Sequence, residues 1–418
     1  MIRHARHPVV KNALALYGIQ VANYILPLFT FPYLARILHP DKFGLIAYAQ
    51  AFVQYFATIT EYGFGFSATR DVAIHRNDPA KLSRIFTSVM AVKLILMTGS
   101  FAIMTAIVFA TPKLRAEWPL YYISFLTVLG SFLFPVWLFM GLEKMQYITM
   151  REVGTRMLAL LPIFIFVHHE SDYLIAAGIQ SGSMALAGLA GLIAVPKATR
   201  VKFVKISWAD VAETFAGGWH YFLSTAAVTL YTTSNIVVLG FVASRESVGY
   251  YAAAKRLIDA AKSLVSPIST ALFPHISRLA AESRADALTF IQKNFLRLSL
   301  PFVLISGALL AAAPLVLSIA GGKRFSNPEA ILILRIMAPI PCVLALGHCY
   351  ATYFMLGLGY KKEWTRMIMM AGALNFVFLI PLLFATTPAI AVATTGTLVE
   401  MFVLARSYAF YRSRHADR

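Results

Sequence analysis

Runs of about 20 apolar residues recur along the whole chain, and each is long enough to cross a lipid bilayer as a helix. Because lipid offers the backbone no hydrogen-bond partners, such segments must be helical. Charged residues make up only 13% of the chain and hydrophobic residues 59%, which disfavours a soluble enzyme, a nucleic-acid binder and a disordered scaffold. The sequence predicts an all-α polytopic membrane protein with about 12 transmembrane helices, at residues 12–38, 43–62, 86–110, 119–141, 149–168, 173–195, 219–242, 248–274, 294–320, 328–356, 365–386 and 388–410.

The distribution of Lys and Arg residues between the loops predicts the orientation. With the N-terminus inside, 25 of the 37 basic residues lie on the inner side and seven on the outer side. Basic residues concentrate in cytoplasmic loops, so both termini are expected in the cytoplasm, and the net charge of +18 needs no nucleic acid to explain it. The other five basic residues lie at membrane depth: Lys93, Lys255, Arg256, Lys262 and Arg335.

A weak internal repeat relates the two halves of the chain. A shift of 205 residues places Gly44 on Gly249 and matches two alanines on each side. The shift contains six predicted spans, so we expect an N-terminal six-helix bundle at 1–205 and a C-terminal six-helix bundle at 206–418, with the same topology. The alternative is chance similarity between two helices rich in Ala and Gly.

Polar side chains recur at helical spacing on four of the predicted spans. A charge at the bilayer centre costs at least about 2.5–3.5 kcal/mol, so these faces should avoid lipid. We therefore expect them to line a central cavity between the two bundles. The polar positions are Gln20, Asn23 and Thr30 on span 1; Gln50, Gln54, Thr58 and Glu61 on span 2; Thr225, Thr232 and Asn235 on span 7; and Tyr251, Lys255, Asp259, Lys262 and Ser266 on span 8.

Several charged residues of the predicted spans have a second interpretation. Lys93 and Arg335 lie about two turns from the ends of their spans, so they could extend to the membrane surface. Lys255 and Asp259 are four residues apart and could neutralise one another. Glu61 could belong to a solvated cluster at the inner end of its span.

Sequence signatures of catalysis are missing from the chain. We find no phosphate-binding G-x-x-x-x-G-K-[ST] loop, no nucleophile elbow, no H-E-x-x-H and no Cys/His cluster. Cys342 and Cys349 lie two helical turns apart, too far to form a disulfide, and are expected to pack as hydrophobic residues. The sequence thus indicates a carrier with no catalytic residues, cofactor or metal, whose cargo is at least partly anionic.

Several motifs resemble one known family. They are LFTFPYLARIL at 28–38, FG at 43–44, AQAF at 49–52, EYGFGFSATR at 61–70, ILRI at 333–336, and PVWLFMGLEKM at 135–145, which is similar to a P-x-W-x-F-x-G-x-E-x-M signature. As a set they resemble the O-antigen flippases (the Wzx family) of the polysaccharide-transporter branch of the multidrug/oligosaccharidyl-lipid/polysaccharide exporter superfamily. Met140 and Gly65 depart from the family pattern. We expect the signature residues Trp137 and Glu143 to be structural, with Glu143 near Lys144 and Arg151.

The resemblance implies two bundles that alternate in access. It also implies a cargo of undecaprenyl-diphosphate-linked oligosaccharide, the O-antigen repeat unit, moved from the cytoplasmic to the periplasmic leaflet of the inner membrane. Implied partners besides membrane lipids are a glycan polymerase and a chain-length regulator. A diphosphate-sugar headgroup needs cations, amides and hydroxyls. The candidates are Lys255, Arg335 and Lys93 for phosphate, Asn23, Gln50, Gln54 and Asn235 for sugar, and Asp259 and Glu61 for ion coupling.

Three alternatives stay open. The cargo could be another polyprenyl-linked glycan, such as a capsule unit or a peptidoglycan precursor. A drug/cation antiporter of the same superfamily would favour acidic cavity residues, whereas this set is net basic. A membrane-embedded glycan polymerase would be an enzyme with a large outer loop, and the longest outer loop here has about ten residues.

Overall fold

The computed structural model describes the backbone of residues 6–416 and, within it, the side chains of 29–414 except 231, 266–268, 270–271 and 274. The described residues form helices and connecting loops, with no strand. Each of the twelve predicted segments falls on one helix or on consecutive helices, to within about two residues. The chain is an all-α polytopic membrane protein, as the apolar runs predict.

The number of spans is less regular than the apolar runs suggest. Trp208–Leu230 and Thr232–Val242 are apolar enough together and meet at a bend of 50°, as in a broken span or a re-entrant loop. The first two predicted spans lie in one helix broken at His39, where φ is 54°, and the count of twelve stays a prediction. Seven helical segments among the described residues are each long and apolar enough to cross a membrane: Pro79–Ala110, Trp118–Gly141, Glu170–Thr199, Arg284–Ala311, Pro328–Leu356, Lys361–Ala385 and Pro388–Arg414.

The chain divides into two compact units. The first comprises residues up to 38 and residues 48–233, and the second comprises 39–47 and 234–418. The predicted bundles at 1–205 and 206–418 stay a prediction, because a division into compact units does not show which helices move together. The helices that begin in the first unit are α1 Arg6–Glu61, α2 Ser67–Ile74, α3 Pro79–Ala110, α4 Pro112–Arg115, α5 Trp118–Leu133, α6 Val136–Gly141, α7 Met145–Phe166, α8 Tyr173–Thr199 and α9 Trp208–Val242.

The second unit contains the remaining helices and a π-helical stretch. This stretch, His348–Leu356, follows α15, and its wider turn is a local feature often found at functional sites. The helices are α10 Arg245–Ser263, α11 Val265–Glu282, α12 Arg284–Ala311, α13 Ala313–Gly321, α14 Pro328–Met337, α15 Ile340–Gly347, α16 Lys361–Ala385 and α17 Pro388–Ala416. Cys342 and Cys349 are free thiols, as expected.

Local sequence explains where the helices that carry candidate site residues begin. Asp78 precedes α3, and its Oδ1 accepts hydrogen bonds from the backbone N–H groups of Ala80 and Lys81 at 3.1 and 3.0 Å. Asn327 caps α14 in the same way, accepting from the Ala330 N–H at 2.8 Å. Proline occupies the first position of both helices, where its missing N–H costs nothing.

The signature segment 135–145 lies in the core of the first unit. Trp137 is completely buried, together with Phe86 and Phe139, so its structural role is confirmed. The predicted contacts of Glu143 with Lys144 and Arg151 are wrong, because these residues bond elsewhere. The Glu143 φ of 58° turns the side chain outward, where it is 82% exposed and 3.8 Å from Arg76.

Candidate functional site

A buried ion pair links α1 and α3 in the first unit. Lys93 Nζ lies 3.1 Å from Glu61 Oε1, and the lysine side chain is fully buried while the glutamate is 32% exposed. The same ammonium donates to the carbonyl oxygen of Ser131 at 2.9 Å. Helical geometry would bond that carbonyl to the N–H of residue 135, but Pro135 has none. The lysine therefore satisfies a carbonyl that the signature proline leaves free.

This pair decides between the interpretations of two candidates. Lys93 does not extend to the membrane surface, because its ammonium is enclosed by protein. Glu61 does not join a solvated cluster at the end of its span, because it pairs with Lys93. In this conformation neither group has its charge free for a ligand.

The polar face of α1 meets polar groups on two other helices of the first unit. Gln50 Nε2 donates to Gln180 Oε1 at 2.9 Å, and Thr58 Oγ1 donates to Thr229 Oγ1 at 3.3 Å. Gln54, between them, is exposed. The side chain of Asn23 lies outside the described residues. Among the described amides of this face, Gln54 is thus the most accessible.

A charged cavity of about 500 Å³ lies in the first unit, at the ends of α2, α3 and α9. Arg84 bridges it by an ion pair with Asp210 at 2.8 Å. Burial raises the pKa of Asp71, and nearby Glu213 adds to this, whereas Arg70 and His75 act in the opposite direction. The sequence did not single out this cavity, because its charges come from segments that look like ordinary loop ends.

Lys255 and Asp259 form an ion pair along α10 in the second unit. Lys255 Nζ lies 2.5 Å from Asp259 Oδ2, and the two side chains are 36% and 48% exposed. The contact between Lys255 and Asp259 that their spacing predicts is therefore present, and both side chains are accessible. An exposed ammonium held by one carboxylate can exchange that partner for a phosphate oxygen without a large rearrangement.

A second ion pair lies one turn beyond Asp259 on α10. Lys262 pairs with Glu400 of α17 at 3.3 Å. Lys262 also lines a cavity of about 420 Å³, together with Asp259 and His348, the first residue of the π-helical stretch. Sequence reasoning did not single out Glu400 or His348, since this grouping joins residues far apart in the chain.

The remaining two candidates differ in accessibility. Asn235 is buried and pairs reciprocally with Asn375, with amide-to-oxygen distances of 3.3 and 3.1 Å. Asn375 was not predicted. Arg335 is exposed on α14 and forms no ion pair with any described residue. Arg335 is therefore available to a ligand, whereas the Asn235 amide is already bonded to protein.

The second unit thus groups Lys255, Asp259 and Lys262 with His348 and Glu400. This set mixes accessible cations with titratable groups, which suits binding an anion and exchanging a proton or an inorganic cation. Where the side chains are described, no three His, Cys, Asp or Glu residues are placed to hold a metal ion.

Comparisons with known proteins agree with the motifs. A sequence model of the family described as polysaccharide biosynthesis protein matches residues 9–280. Two relatives carry the name "Putative O-antigen transporter". The one from Escherichia coli (strain K12) is 34% identical over 373 residues, covering 89% of each chain. The one from Shigella dysenteriae is 28% identical over 397 residues, covering 94% of this chain and 98% of the relative.

Solved structures show the same fold at low identity. An inward-facing multidrug resistance MATE family transporter of the MOP superfamily has a TM-score of 0.72 at 13% identity, covering 94% of this chain and 95% of that one. The lipid II flippase MurJ, in an inward closed conformation, has a TM-score of 0.69 at 12% identity, covering 95% and 87%. The chain belongs to the polysaccharide biosynthesis protein family, and it is a polytopic membrane protein with the fold of these transporters.

Proposed function

We propose that this protein is a flippase for undecaprenyl-diphosphate-linked oligosaccharide, the O-antigen repeat unit. It moves the headgroup from the cytoplasmic to the periplasmic leaflet of the inner membrane by alternating access, with both termini in the cytoplasm. Family membership and the two O-antigen transporter relatives support the class of cargo. The observation that carries the proposal is an accessible lysine, Lys255, on a helix within a membrane transporter.

Lys255 is the proposed primary contact for the diphosphate. At an effective dielectric constant of about 20, a cation 4 Å from a phosphate charge gains about 4 kcal/mol before desolvation is subtracted. This is enough for recognition and small enough for release after hydration. Asp259 holds the ammonium when no cargo is present, and Arg335 is a second exposed cation for the same headgroup.

The other candidate cargo contacts are ranked by whether their side chains are accessible. Gln54 is exposed and is the proposed sugar contact, with Gln50 beside it on the same helix face. Asn235 and Lys93 are bonded within the protein and would need a second conformation to reach cargo. Asn23 stays a sugar-binding candidate from its sequence position.

Ion coupling is proposed for Asp259, which is exposed and also lines the cavity with Lys262 and His348. Glu61 is the second candidate, since its partial exposure lets a proton reach it while Lys93 holds it. The coupling ion is a proton or sodium. The chain acts as a carrier rather than as an enzyme, and a glycan polymerase and a chain-length regulator are the proposed downstream partners.

Translocation in proteoliposomes tests the function directly. The purified full-length protein is reconstituted with a fluorescent undecaprenyl-diphosphate oligosaccharide, and movement between leaflets is followed by an external quencher. A matched lipid with the same sugar and prenyl chain but no phosphate is the control. We expect faster movement of the diphosphate lipid than in protein-free vesicles, and no acceleration of the neutral lipid.

Two results would contradict the proposal. Equal acceleration of both lipids would show that the diphosphate is not recognised. No acceleration of the diphosphate lipid, together with uptake of an organic cation, would favour the drug/cation antiporter. A capsule unit or a peptidoglycan precursor moved faster than the O-antigen unit would change the cargo and keep the mechanism.

A further inference from the structure

The start of α16 carries a basic patch outside the proposed cargo site. We define the patch as Lys361, Lys362 and Arg366, all exposed on the first two turns of the helix. Together with Thr365 they line an open pocket of about 640 Å³ whose other lining residues are Met369, Met370 and Ala373. Positions 362, 366, 369 and 373 follow one another along one face of a helix.

Two more cations stand at the same end of the helix. The guanidinium groups of Arg284 and Arg414 each lie 5.7 Å from the ring centre of Tyr360, the residue before α16. Cation–π contacts of this length hold the charges in place without neutralising them. Glu363 is the one acidic residue of the first turn of α16, and it does not line the pocket. Cations therefore outnumber acidic residues around this helix start.

The exposed face of α16 becomes apolar directly after the patch. Met369 is 69% exposed and Met370 42% exposed, and the same face continues through Val377 and Ile380. In a membrane protein such a face is covered by lipid chains. Cations at one end and an apolar stripe beyond them match the two parts of an anionic phospholipid, a charged phosphate and an acyl chain.

We propose that the basic patch binds the phosphate headgroup of an anionic phospholipid such as phosphatidylglycerol, with an acyl chain along Met369, Met370 and Ala373. Basic clusters at the membrane surface attract anionic lipids. The polar groups lining this pocket are cations and one hydroxyl, so the site recognises a phosphate but offers no amide or carboxylate for a sugar. This lining favours a phospholipid over a lipid-linked glycan.

Lipid binding to the purified full-length protein tests this inference. Fluorescent phosphatidylglycerol is titrated onto the wild type, the Lys361→Gln/Lys362→Gln/Arg366→Gln variant, and a control that loses the same charge from exposed positions, Lys197→Gln/Lys202→Gln/Lys205→Gln. Each basic residue near an anionic lipid contributes about a factor of five in affinity. We expect the α16 variant to bind about a hundredfold more weakly and the control to match the wild type.

Competition experiments identify the occupant of the patch. Unlabelled phosphatidylglycerol should displace the probe, whereas phosphatidylcholine and inorganic phosphate should not. Equal loss of binding in the α16 variant and the control would overturn the inference, since net charge alone would explain it. Stronger competition by undecaprenyl phosphate would assign the patch to the cargo and also overturn it. If the triple variant is not monodisperse, Arg366→Gln alone should still weaken binding, and unchanged binding would count against the proposal.

Discussion

Gly44 and Gly249 pack against each other in a reciprocal contact within the second unit. A methyl group added at Gly44 would overlap the carbonyl oxygen of Arg245 and lie 2.9 Å from the Cα of Gly249. One added at Gly249 would overlap the carbonyl oxygen of Pro40. Under the 205-residue shift, Gly44 corresponds to Gly249 and Pro40 to Arg245. The Arg245 carbonyl beside Gly44 and the Pro40 carbonyl beside Gly249 therefore occupy equivalent positions of the repeat. This symmetry of the contact supports the internal repeat.

Adding a side chain at either glycine should therefore destabilise the protein. Gly44→Ala and Gly249→Ala both force backbone to move apart at the helix crossing, a cost of about 1–3 kcal/mol. We expect a lower midpoint of thermal unfolding in detergent for each variant. Gly307→Ala is the control, because nothing lies within 4 Å of the added methyl group. A control that falls as far as the other two would show that the contact is unimportant.

The Lys93–Glu61 pair predicts unequal costs for its two partners. Glu61→Gln leaves a fully buried ammonium with only neutral oxygen acceptors, whereas Lys93→Met leaves a carboxylate that water reaches. Removing one partner of a buried pair costs up to about 3–5 kcal/mol. We expect Glu61→Gln to lower the thermal midpoint more than Lys93→Met.

An exposed pair provides the comparison. Arg76→Gln and Glu143→Gln act on side chains that are 57% and 82% exposed, and such pairs contribute about 0–1 kcal/mol. If these substitutions destabilise as much as Glu61→Gln, burial is not what makes the Lys93 pair important.

The Asn235–Asn375 pair predicts that substitutions of its two residues have non-additive effects on stability. Asn235→Leu or Asn375→Leu alone leaves a buried amide without its partner, at about 1–3 kcal/mol. The double variant removes both amides but also the hydrogen-bond partner of Tyr251, so it should recover part of the thermal midpoint. Transport per folded molecule should change little in all three. Unchanged stability with lost transport in Asn235→Leu would instead mark Asn235 as a sugar contact.

Helix positions could be predicted from sequence because a membrane span must be both apolar and helical. The ion pairs could not. Glu61 and Lys93 are 32 residues apart, and Lys262 and Glu400 are 138 apart, so their pairing depends on which helices pack together. The Lys255–Asp259 pair was predictable because both residues lie on one helix.

Glu143 shows a different limit of sequence reasoning. Its position after the signature tryptophan suggested that it caps the inner end of span 4, near Lys144 and Arg151. The backbone instead turns into the left-handed region at this residue, and the Lys144 ammonium bonds the carbonyl of Ala198. A local backbone turn of this kind leaves no signal in hydropathy or charge.

The orientation predicts a simple pattern for reporter fusions. A reporter active only in the cytoplasm should be active when fused after Lys205 or Arg414, and silent when fused at Lys323, because basic residues concentrate on the cytoplasmic side. Reporter activity normalised to protein amount is the measurement. Silence at Lys205 with activity at Lys323 would reverse the orientation.

Asp259 should separate cargo binding from ion coupling. Asp259→Asn keeps the shape of the partner of Lys255 but removes its charge and its ability to take a proton. Transport in proteoliposomes should then no longer respond to an imposed proton or sodium gradient. Full gradient dependence in Asp259→Asn would make Asp259 a counter-ion only.

Surface glycan in cells that carry Lys255 variants tests the central claim most directly. Lys255→Ala should reduce displayed glycan at least about tenfold at equal membrane protein, since losing about 1.4 kcal/mol of binding is a factor of ten. Lys255→Arg should retain most of the display, because the phosphate contact depends on charge. Wild-type glycan display by Lys255→Ala at equal protein amount would contradict the cationic recognition of the cargo at this position.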